Sequence, residues 1–517
     1  MSSTQITYDE LPYTCNAMPY AQPGRLATLA TLFGMKPPAV STCRVLELGC
    51  CDGSNIIATG HCLPNAECWG VDLSAQQIAD GQAVVDAIGL RNVTLKQLNI
   101  LEVDEGFGQF DYIIAHGIFS WVSREVQDQI LSLCRRLLVP NGVAYVSYNT
   151  APGWSMRKTF REMMRYHGRS LMDTGVRASH LKNLLKFLAE PATHGDSAYS
   201  QLLNQEANGL LKLPESFVFQ EFLEEECQPE YFYQFAERAR GVGLAYLADA
   251  FFPTMLVDNF PPPVAEGLRR FEGDLVHQEQ LMDWLRNRHF RHTLLCHEGV
   301  SLNRSLSVGV LEQFYIASPL QPVAERLEQS MVRFESARGS LSSDRRVVQL
   351  VMGYLGGQWP RAVGFVELLE WVQHEIGAEL ESSERVVVGE TLLRAYSRGL
   401  VEFHVHPTPL VIGVGERPQV SGLARWEAQQ GRKVTNQRCE WITVTNEVCL
   451  RLLPYLDGSR DQAALLELLN DWSQQGWLTV RVSSPEVKLT AGSRRQILEK
   501  LLNDALRQIA QAGLLVA

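Results

Sequence analysis

Apolar and polar positions in the first 150 residues follow two alternating periods. Short runs of aliphatic and β-branched residues predict strands at Cys43–Leu48, Ala66–Asp72, Val93–Leu98, Phe110–Ala115 and Gly142–Asn149. Between them, apolar residues three and four apart predict helices at Ser54–His61, Ser74–Ile88 and Ser123–Leu138, and a helix at Arg25–Phe33 precedes the first strand. Ser74 and Ser123 stand as N-caps, and Pro140-Asn141-Gly142 is expected to stop the last helix. Strand and helix in alternation imply a parallel sheet covered on both faces.

After Asn149 the alternation lapses. Residues 155 to 227 are helical and irregular, then a helix at Glu230–Arg240 leads into a strand at Leu244–Ala248, and Arg291–Cys296 predicts one more. This is the pattern of a sheet that resumes after a helical insertion and ends near residue 300, so that residues 1–304 are expected to fold alone. Pro261-Pro262-Pro263 predicts a loop, and from about residue 305 the pattern is helical again. Gly356-Gly357, and Pro407-Thr408-Pro409 with Gly413 and Gly415, predict interdomain breaks. Leu392–Phe403 and Ala505–Ala517 end alike, each as a helix, a glycine (Gly399 or Gly513) and an apolar strand, as two winged-helix-like units would.

Composition narrows the class. A chain of 517 residues, 45% hydrophobic and 20% charged, has material for several packed cores. Acids outnumber bases 58 to 47, which argues against a protein that grips nucleic-acid phosphates. The eleven cysteines are scattered with no C-x-x-C pair, so they read as free thiols of a reducing compartment, with no metal site. No positively charged leader precedes Arg25 and no apolar run is long enough to span a bilayer, so a cytoplasmic protein is expected.

The chemistry begins at V-L-E-L-G-C-C-D-G-S-N (Val45–Asn55), a buried strand running into a glycine-bearing turn that opens a helix. Gly49 and Gly53 let the backbone approach a nucleotide-like ligand at the sheet's carboxyl edge. Asp72, ending the next strand, can accept both ribose hydroxyls. The turn lacks the middle glycine of a dinucleotide loop and places Asp52 where a pyrophosphate would sit. That acid disfavours a phosphate and tolerates an ammonium, favouring S-adenosylmethionine over NAD.

With these residues the sequence resembles class I S-adenosylmethionine-dependent methyltransferases, and more closely the bacterial group carrying a methyltransferase regulatory domain, to which rickettsial outer-membrane-protein lysine methyltransferases belong. The resemblance extends through R-L-A-T-L-A-T-L-F-G-M (Arg25–Met35), F-D-Y-I-I-A-H-G-I-F-S-W-V (Phe110–Val122), G-V-A-Y-V-S-Y-N-T-A-P-G-W (Gly142–Trp154) and P-E-Y-F-Y-Q-F-A-E (Pro229–Glu237). It continues through G-L-A-Y-L-A-D-A (Gly243–Ala250), F-R-H-T-L-L-C-H (Phe290–His297), A-R-W-E-A-Q (Ala424–Gln429), V-T-N (Val434–Asn436) and L-D-G-S-R-D (Leu456–Asp461). It implies an α/β fold with a Rossmann-like seven-stranded methyltransferase sheet, a helical insertion and C-terminal helical or winged-helix-like domains. The divisions expected are a core at 1–154, the insertion and regulatory region with the last strands at 155–304, a middle domain at 305–410 and a C-terminal winged-helix-like domain at 411–517.

The resemblance also implies roles. Glu47, Gly49, Cys50 and Gly53 would frame the methionine part of S-adenosylmethionine, Asp72 and Leu73 the ribose, and Asn99 and Ile100 the adenine; Asn99 stands where many relatives have an acid, and Cys51 where they have a small glycine. His116 would lie beside both cofactor and activated methyl, with Tyr148 as a second catalytic group. Phe119, Trp121, Tyr148 and Trp154 would line a channel for an aliphatic ammonium, or serve as plain core. The N/D-P-P-Y/F run of enzymes that methylate amides and bases is absent after the fourth strand, where Ala115–Trp121 stands instead.

Two clusters have alternative readings. His289, His292, Cys296 and His297 crowd together, but a helix running into a strand would scatter them. Arg157, Arg161, Arg165 and Arg169 share one helix face, either paired with Glu221, Glu224, Glu225 and Glu226 or facing an acidic peptide. The function expected is N-methylation of lysine in a protein or peptide acceptor. The alternatives are a small-molecule or natural-product methyltransferase and a cofactor-binding regulator without turnover.

Overall fold

The computed structural model describes residues 15–169, 174–190, 197–213, 217–218, 221–222, 224, 226–323, 330–407, 410–478 and 491–516. Seven strands form one sheet in the order β3-β2-β1-β4-β5-β7-β6. They are β1 (Arg44–Leu48), β2 (Glu67–Asp72), β3 (Val93–Gln97), β4 (Phe110–Ala115), β5 (Leu138–Asn149), β6 (Leu244–Asp249) and β7 (Phe290–His297). The first five pair in parallel, while β7 runs antiparallel to both β5 and β6. Helices α1 (Pro23–Leu32), α2 (Ser54–Cys62), α3 (Ala75–Ile88) and α4 (Arg124–Leu137) lie where periodicity predicts them, and Ser74 and Ser123 cap α3 and α4.

One strand starts earlier than predicted. Pro140-Asn141-Gly142 does not close the helix: α4 ends at Leu137 and β5 begins at once. The triplet sits where the β4–β5 register jumps, from Phe110 opposite Leu138 to Tyr112 opposite Val143. A proline without an N–H is tolerated at such an irregularity.

Both faces of the sheet are buried. Val45, Tyr112, Ile114, Val143 and Tyr145 belong to one core with Leu26, Leu29 and Ala30 of α1. Leu46, Ile113, Ala144, Val146 and Tyr148 belong to the other, with Ile130 and Cys134 of α4 and Phe235 of helix α8 (Phe232–Gly241). The insertion comprises α5 (Ala151–Gly168), α6 (Thr174–Ala189) and α7 (Ala198–Leu210), packed around Phe160, Met164, Leu181, Leu185 and Phe222. Its arginine stripe is partly internal. Arg161 donates to the backbone carbonyls of Glu221 and Glu224, and Arg165 to the latter. Glu225 lies outside the described residues.

Helices α9 (Pro262–Arg269) and α10 (Leu275–Leu285) complete the covering of β6 and β7. The proline triplet at 261–263 therefore opens a helix instead of forming a loop, as suits a residue that lacks the N–H a first turn leaves unpaired. Arg291 of β7 is fully buried, with Nε 2.7 Å from Asp283 and Nη2 2.8 Å from Glu279, both on α10.

Beyond residue 305 the structure is not purely helical. A sheet of β8 (Tyr315–Ala317), β12 (Val363–Gly364) and β13 (Glu402–His404) and a second of β9 (Gln321–Pro322), β10 (Val332–Ser336) and β11 (Gly339–Ser343) pack with α11 (Arg346–Gln358), α12 (Phe365–Ile376) and α13 (Ser382–Ser397). Gly356 and Gly357 lie inside α11, where a Cβ on Gly356 would strike the Leu320 carbonyl. The pair marks a close approach and not a break. This region shares the first core: Phe314, Ile316, Leu355, Leu392 and Phe403 join Leu26, Val45 and Phe252 in one cluster. Arg25 spans the junction, donating to the Ala250 carbonyl and, at 3.1 Å, to the Tyr396 hydroxyl. Thr408 and Pro409 lie outside the described residues.

The last unit has a core of its own around Val420, Leu452, Leu465, Leu469, Leu502, Leu506 and Leu515. Here α14 (Ala491–Gln511) is followed by Gly513, and an isolated bridge pairs Leu515 with Val420; Ala517 lies outside the described residues. The unit touches the first core where the sulfurs of Cys62 and Cys439 stand 2.7 Å apart. Two cysteines depart from the free-thiol expectation, since Cys15 and Cys51 form a disulfide; the other nine are free. Among the described residues no helix is long and apolar enough to cross a membrane.

Candidate functional site

The turn after β1 is built by its glycines and by β2. Gly49 has φ +68°, and a Cβ there would collide with Ile118. Gly49 and Cys50 both donate their N–H groups to the Val71 carbonyl, at 2.8 and 3.0 Å. Cys51 is held left-handed (φ +55°), and its N–H donates to Asp72 Oδ2 at 2.9 Å. Asp72 Oδ1 accepts from the Ser74 N–H at 2.9 Å, so both carboxylate oxygens are aimed by backbone donors. Asp52 accepts from the N–H and hydroxyl of Ser54, the first residue of α2, and Gly53 between them is the N-cap. Gly81 completes the turn from outside: a Cβ on this glycine of α3 would strike the Asp52 carbonyl. A glycine inside a helical pattern is the sequence signal of such close packing.

Glu47 is the buried acid of the site. Its Oε1 accepts from Asn55 Nδ2 at 3.0 Å, while Oε2 is buried with no partner. Burial pushes its carboxyl up to about 8, against the bond from Asn55. Asn55 in turn accepts from the Met18 N–H at 2.9 Å and from Gln22 at 2.8 Å. The N-terminal segment is thereby pinned over the turn, with the Cys15–Cys51 disulfide beside it.

The remaining cofactor candidates divide. Cys50 turns its thiol into the core against Gly70, and burial pushes that thiol far up. Leu73 is exposed and Ile100 is buried, while Asn99 spends its side-chain oxygen on the Leu101 N–H.

At the carboxyl end of β4 stands His116. Its Nδ1 lies 2.9 Å from the Tyr145 hydroxyl and 3.2 Å from Ser147 Oγ, and Ser147 accepts from the Gly117 N–H. The same Tyr145 hydroxyl lies 2.6 Å from Nδ1 of His292 on β7. Phe290 meets both imidazoles edge-on, and Tyr20 of the N-terminal segment tilts over His292 at 5.2 Å between centroids. Burial pushes His116 down to about 3 and His292 down to about 4, so both imidazoles are neutral at pH 7.

Several expected members are elsewhere. Tyr148 does not join His116, because successive side chains of a strand point to opposite faces. Tyr145 and Ser147 face His116, whereas Tyr148 is buried on the other face, stacked on Phe235 at 4.3 Å. Phe119 lies in that same core, edge-on to Phe235, and lines no channel. Trp154 is buried against Phe222 of the insertion, and only Trp121, edge-on to it at 5.6 Å, is partly exposed. The aromatic groups around His116 are instead Tyr145 and Phe290, with Tyr20 over the neighbouring His292, and none of the three was singled out from the sequence. Of the histidine cluster, His292 meets Tyr145 and His297 meets the Leu138 carbonyl. Among the described residues no three His, Cys, Asp or Glu side chains are placed to hold a metal ion.

Three family models match the chain. Residues 46–144 match "Methyltransferase domain", 214–297 match "Predicted methyltransferase regulatory domain" and 416–514 match "PKMT, C-terminal winged helix domain". The uncharacterized protein RP789 of Rickettsia prowazekii is 33% identical over 530 residues, covering 98% of this chain and 93% of its own. A second R. prowazekii protein, RP028, is 40% identical over 238 residues, covering 46% of this chain and 95% of its own. The structure of PKMT2 from Rickettsia typhi in complex with AdoHcy is similar, with a TM-score of 0.88 and 29% identity over 98% of this chain and all of that one.

Proposed function

The chain belongs to the family of RP789 and is an S-adenosylmethionine-dependent methyltransferase with a PKMT-type C-terminal winged-helix domain, and from these and its likeness to PKMT2 we propose that it N-methylates lysine side chains of a protein acceptor. The donor site fits the cofactor. The partnerless Glu47 Oε2 suits the cationic methionine end, Asp72 the ribose hydroxyls and the Gly49 turn a close backbone approach. Of the remaining assignments, we retain the backbone at Cys50 and Gly53 for the methionine end, Leu73 beside the ribose, and Asn99 and Ile100 near the adenine. S-adenosylmethionine supplies an activated methyl on its sulfonium, and AdoHcy, bound in PKMT2, is what remains once that methyl has left.

The chain's own residues prepare the nucleophile. A lysine with its reference pKa near 10.4 needs about 4.6 kcal/mol to present a lone pair at pH 7. The half-buried, neutral imidazole of His116 accepts a hydrogen bond from the amine, and the partial desolvation of the site disfavours a cation there. Tyr145 and Phe290 border it with ring surface that shields the amine from water, and Tyr20 lies over the neighbouring His292. This neutral, aromatic-walled histidine at the end of β4 is the observation that carries the lysine reading. Trp121, half-exposed beside the insertion, marks the approach of the acceptor. We divide the chain as 1–154, 155–304, 305–410 and 411–517, with the last two parts as the surface that receives a folded acceptor, and place the protein in the cytoplasm, where nine free thiols fit.

Labelled cofactor with arrays of lysine-bearing peptides and proteins, read by mass spectrometry, tests the acceptor. Label on the lysine Nε supports the reading. Label found only on small molecules, or nowhere, overturns it.

A further inference from the structure

Tyr145 bridges two histidines, and its hydroxyl has one proton for two nitrogens. It lies within hydrogen-bond distance of Nδ1 of His116 and of Nδ1 of His292. A neutral imidazole nitrogen carries either a proton or a lone pair. Both contacts are satisfied only when Tyr145 donates to one Nδ1 while the other Nδ1 donates to the phenol oxygen. The two imidazoles therefore hold opposite tautomers, one protonated on Nδ1 and the other on Nε2. Their rings are parallel to within 4°, with centroids 6.3 Å apart, and both are half-buried.

We propose that His116, Tyr145 and His292 form a proton wire that takes the proton of the acceptor ammonium to solvent. The wire rests on the lysine reading above. The ammonium gives a proton to Nε2 of His116, whose Nδ1 proton passes to the Tyr145 oxygen. The Tyr145 proton passes to Nδ1 of His292, and the Nε2 proton of His292 leaves to water. One N–H bond of the ammonium breaks and one water gains a proton. The three side chains end neutral, with their tautomers exchanged and the Tyr145 hydroxyl turned from one histidine to the other.

The surroundings suit transfer rather than storage. Burial holds both imidazoles neutral, so neither traps the proton in transit. The Ser147 hydroxyl, fixed by the Gly117 N–H, steadies the His116 ring. Asp249 accepts from the His292 backbone N–H and pairs with Arg288 at 2.6 Å, so it anchors the strand and leaves the imidazole uncharged. The titratable and charged groups facing the wire are Tyr20 from the N-terminal segment, Glu47 from β1, Asp249 from β6 and Arg288 ahead of β7.

Tyr145→Phe keeps the ring and removes the relay, and two measurements judge it. In steady-state methylation, kcat at pH 7 should fall about 100-fold or more while cofactor affinity by calorimetry stays within twofold. The deficit should shrink as pH rises toward the acceptor's pKa near 10.4, because a neutral amine needs no wire. A deficit equal at every pH, or a kcat within twofold of the parent, overturns the wire. Independently, 15N spectra of the imidazoles in the resting protein, assigned with His116→Gln and His292→Gln, should show opposite tautomers. Matching tautomers overturn the wire without reference to any acceptor. A parent enzyme that labels no lysine overturns the acceptor reading instead.

Discussion

With Glu47 beside the cofactor's cationic end, as proposed, cofactor binding should release a proton. Its carboxyl, pushed up to about 8 by burial, is only about one-tenth ionised at pH 7 in the ligand-free protein. A cationic ligand end beside Oε2 needs the carboxylate, so binding must expel about 0.9 proton from Glu47. A free α-amino group of pKa 7.7–8.0 takes up about 0.1, leaving a net release of about 0.8. Below about pH 7 the affinity should rise close to tenfold per pH unit, it should level off near pH 8, and above that the loss of the ligand's own proton should bring it down again. The ligand-free fold has the opposite dependence. Its Glu47 pKa lies above the unfolded value, so it binds more protons than the unfolded chain between pH 4.5 and about 8 and loses stability as pH rises through that window. Calorimetry with AdoHcy at pH 7, in buffers of differing ionisation enthalpy, reads the proton count as a slope. Glu47→Gln keeps an acceptor for Asn55 and should abolish the release and flatten the affinity below pH 8. A parent slope near zero, or one that survives Glu47→Gln, would refute the placement of the ligand's cation at this acid.

Asp72→Ala should weaken cofactor binding about tenfold or more, the worth of one charged hydrogen bond; unchanged affinity by calorimetry would remove Asp72 from the ribose site. His116→Ala should lower kcat about 100-fold with little change in cofactor affinity, whereas Tyr148→Phe, on the opposite face, should leave kcat within twofold; equal losses in steady-state assays would count against the face assignment. A chain ending at residue 304 should fail to fold, against the sequence expectation, because it strips Phe314, Ile316 and Phe403 from the core holding Leu26 and Val45; a cooperative thermal transition with bound AdoHcy would show that this core is dispensable.

The main sheet was legible because its strands are buried on both faces and appear as nearly unbroken apolar runs. All seven strands were located, six of them to within one residue at either end, and the exception was β5, where a proline inside a register jump imitated a helix stop. Of the small sheets after residue 305 only β13 was legible, as the apolar strand expected after Gly399. Strands of two or three residues, such as Val363–Gly364 and Tyr315–Ala317, are too short to carry a period. The shared core was hidden for a different reason: Arg25 meets Tyr396, and Leu26 shares a cluster with Phe403, over separations that no local pattern encodes.

The donor and acceptor halves of the site differ in the same way. Gly49, Asp52 and Asp72 could be read because one turn and the next strand end bring them together. The acceptor half depends on strand phase and on a long-range antiparallel pairing. Within β5 a shift of one residue exchanges Tyr145 for Tyr148 and carries the hydroxyl to the wrong side of the sheet. The pairing of Ser147 with His292 then sets the partner, because directly opposed residues share a face. The same rule puts Arg291, opposite Tyr148, on the far side, where Asp283 and Glu279 lock it. Adjacent residues of β7 thus divide the labour: Arg291 fixes the strand to α10 on one face, and that fixed strand holds His292 against Tyr145 on the other. A histidine positioned by a buried ion pair one residue away needs no support from its own imidazole, which leaves both ring nitrogens for the proton.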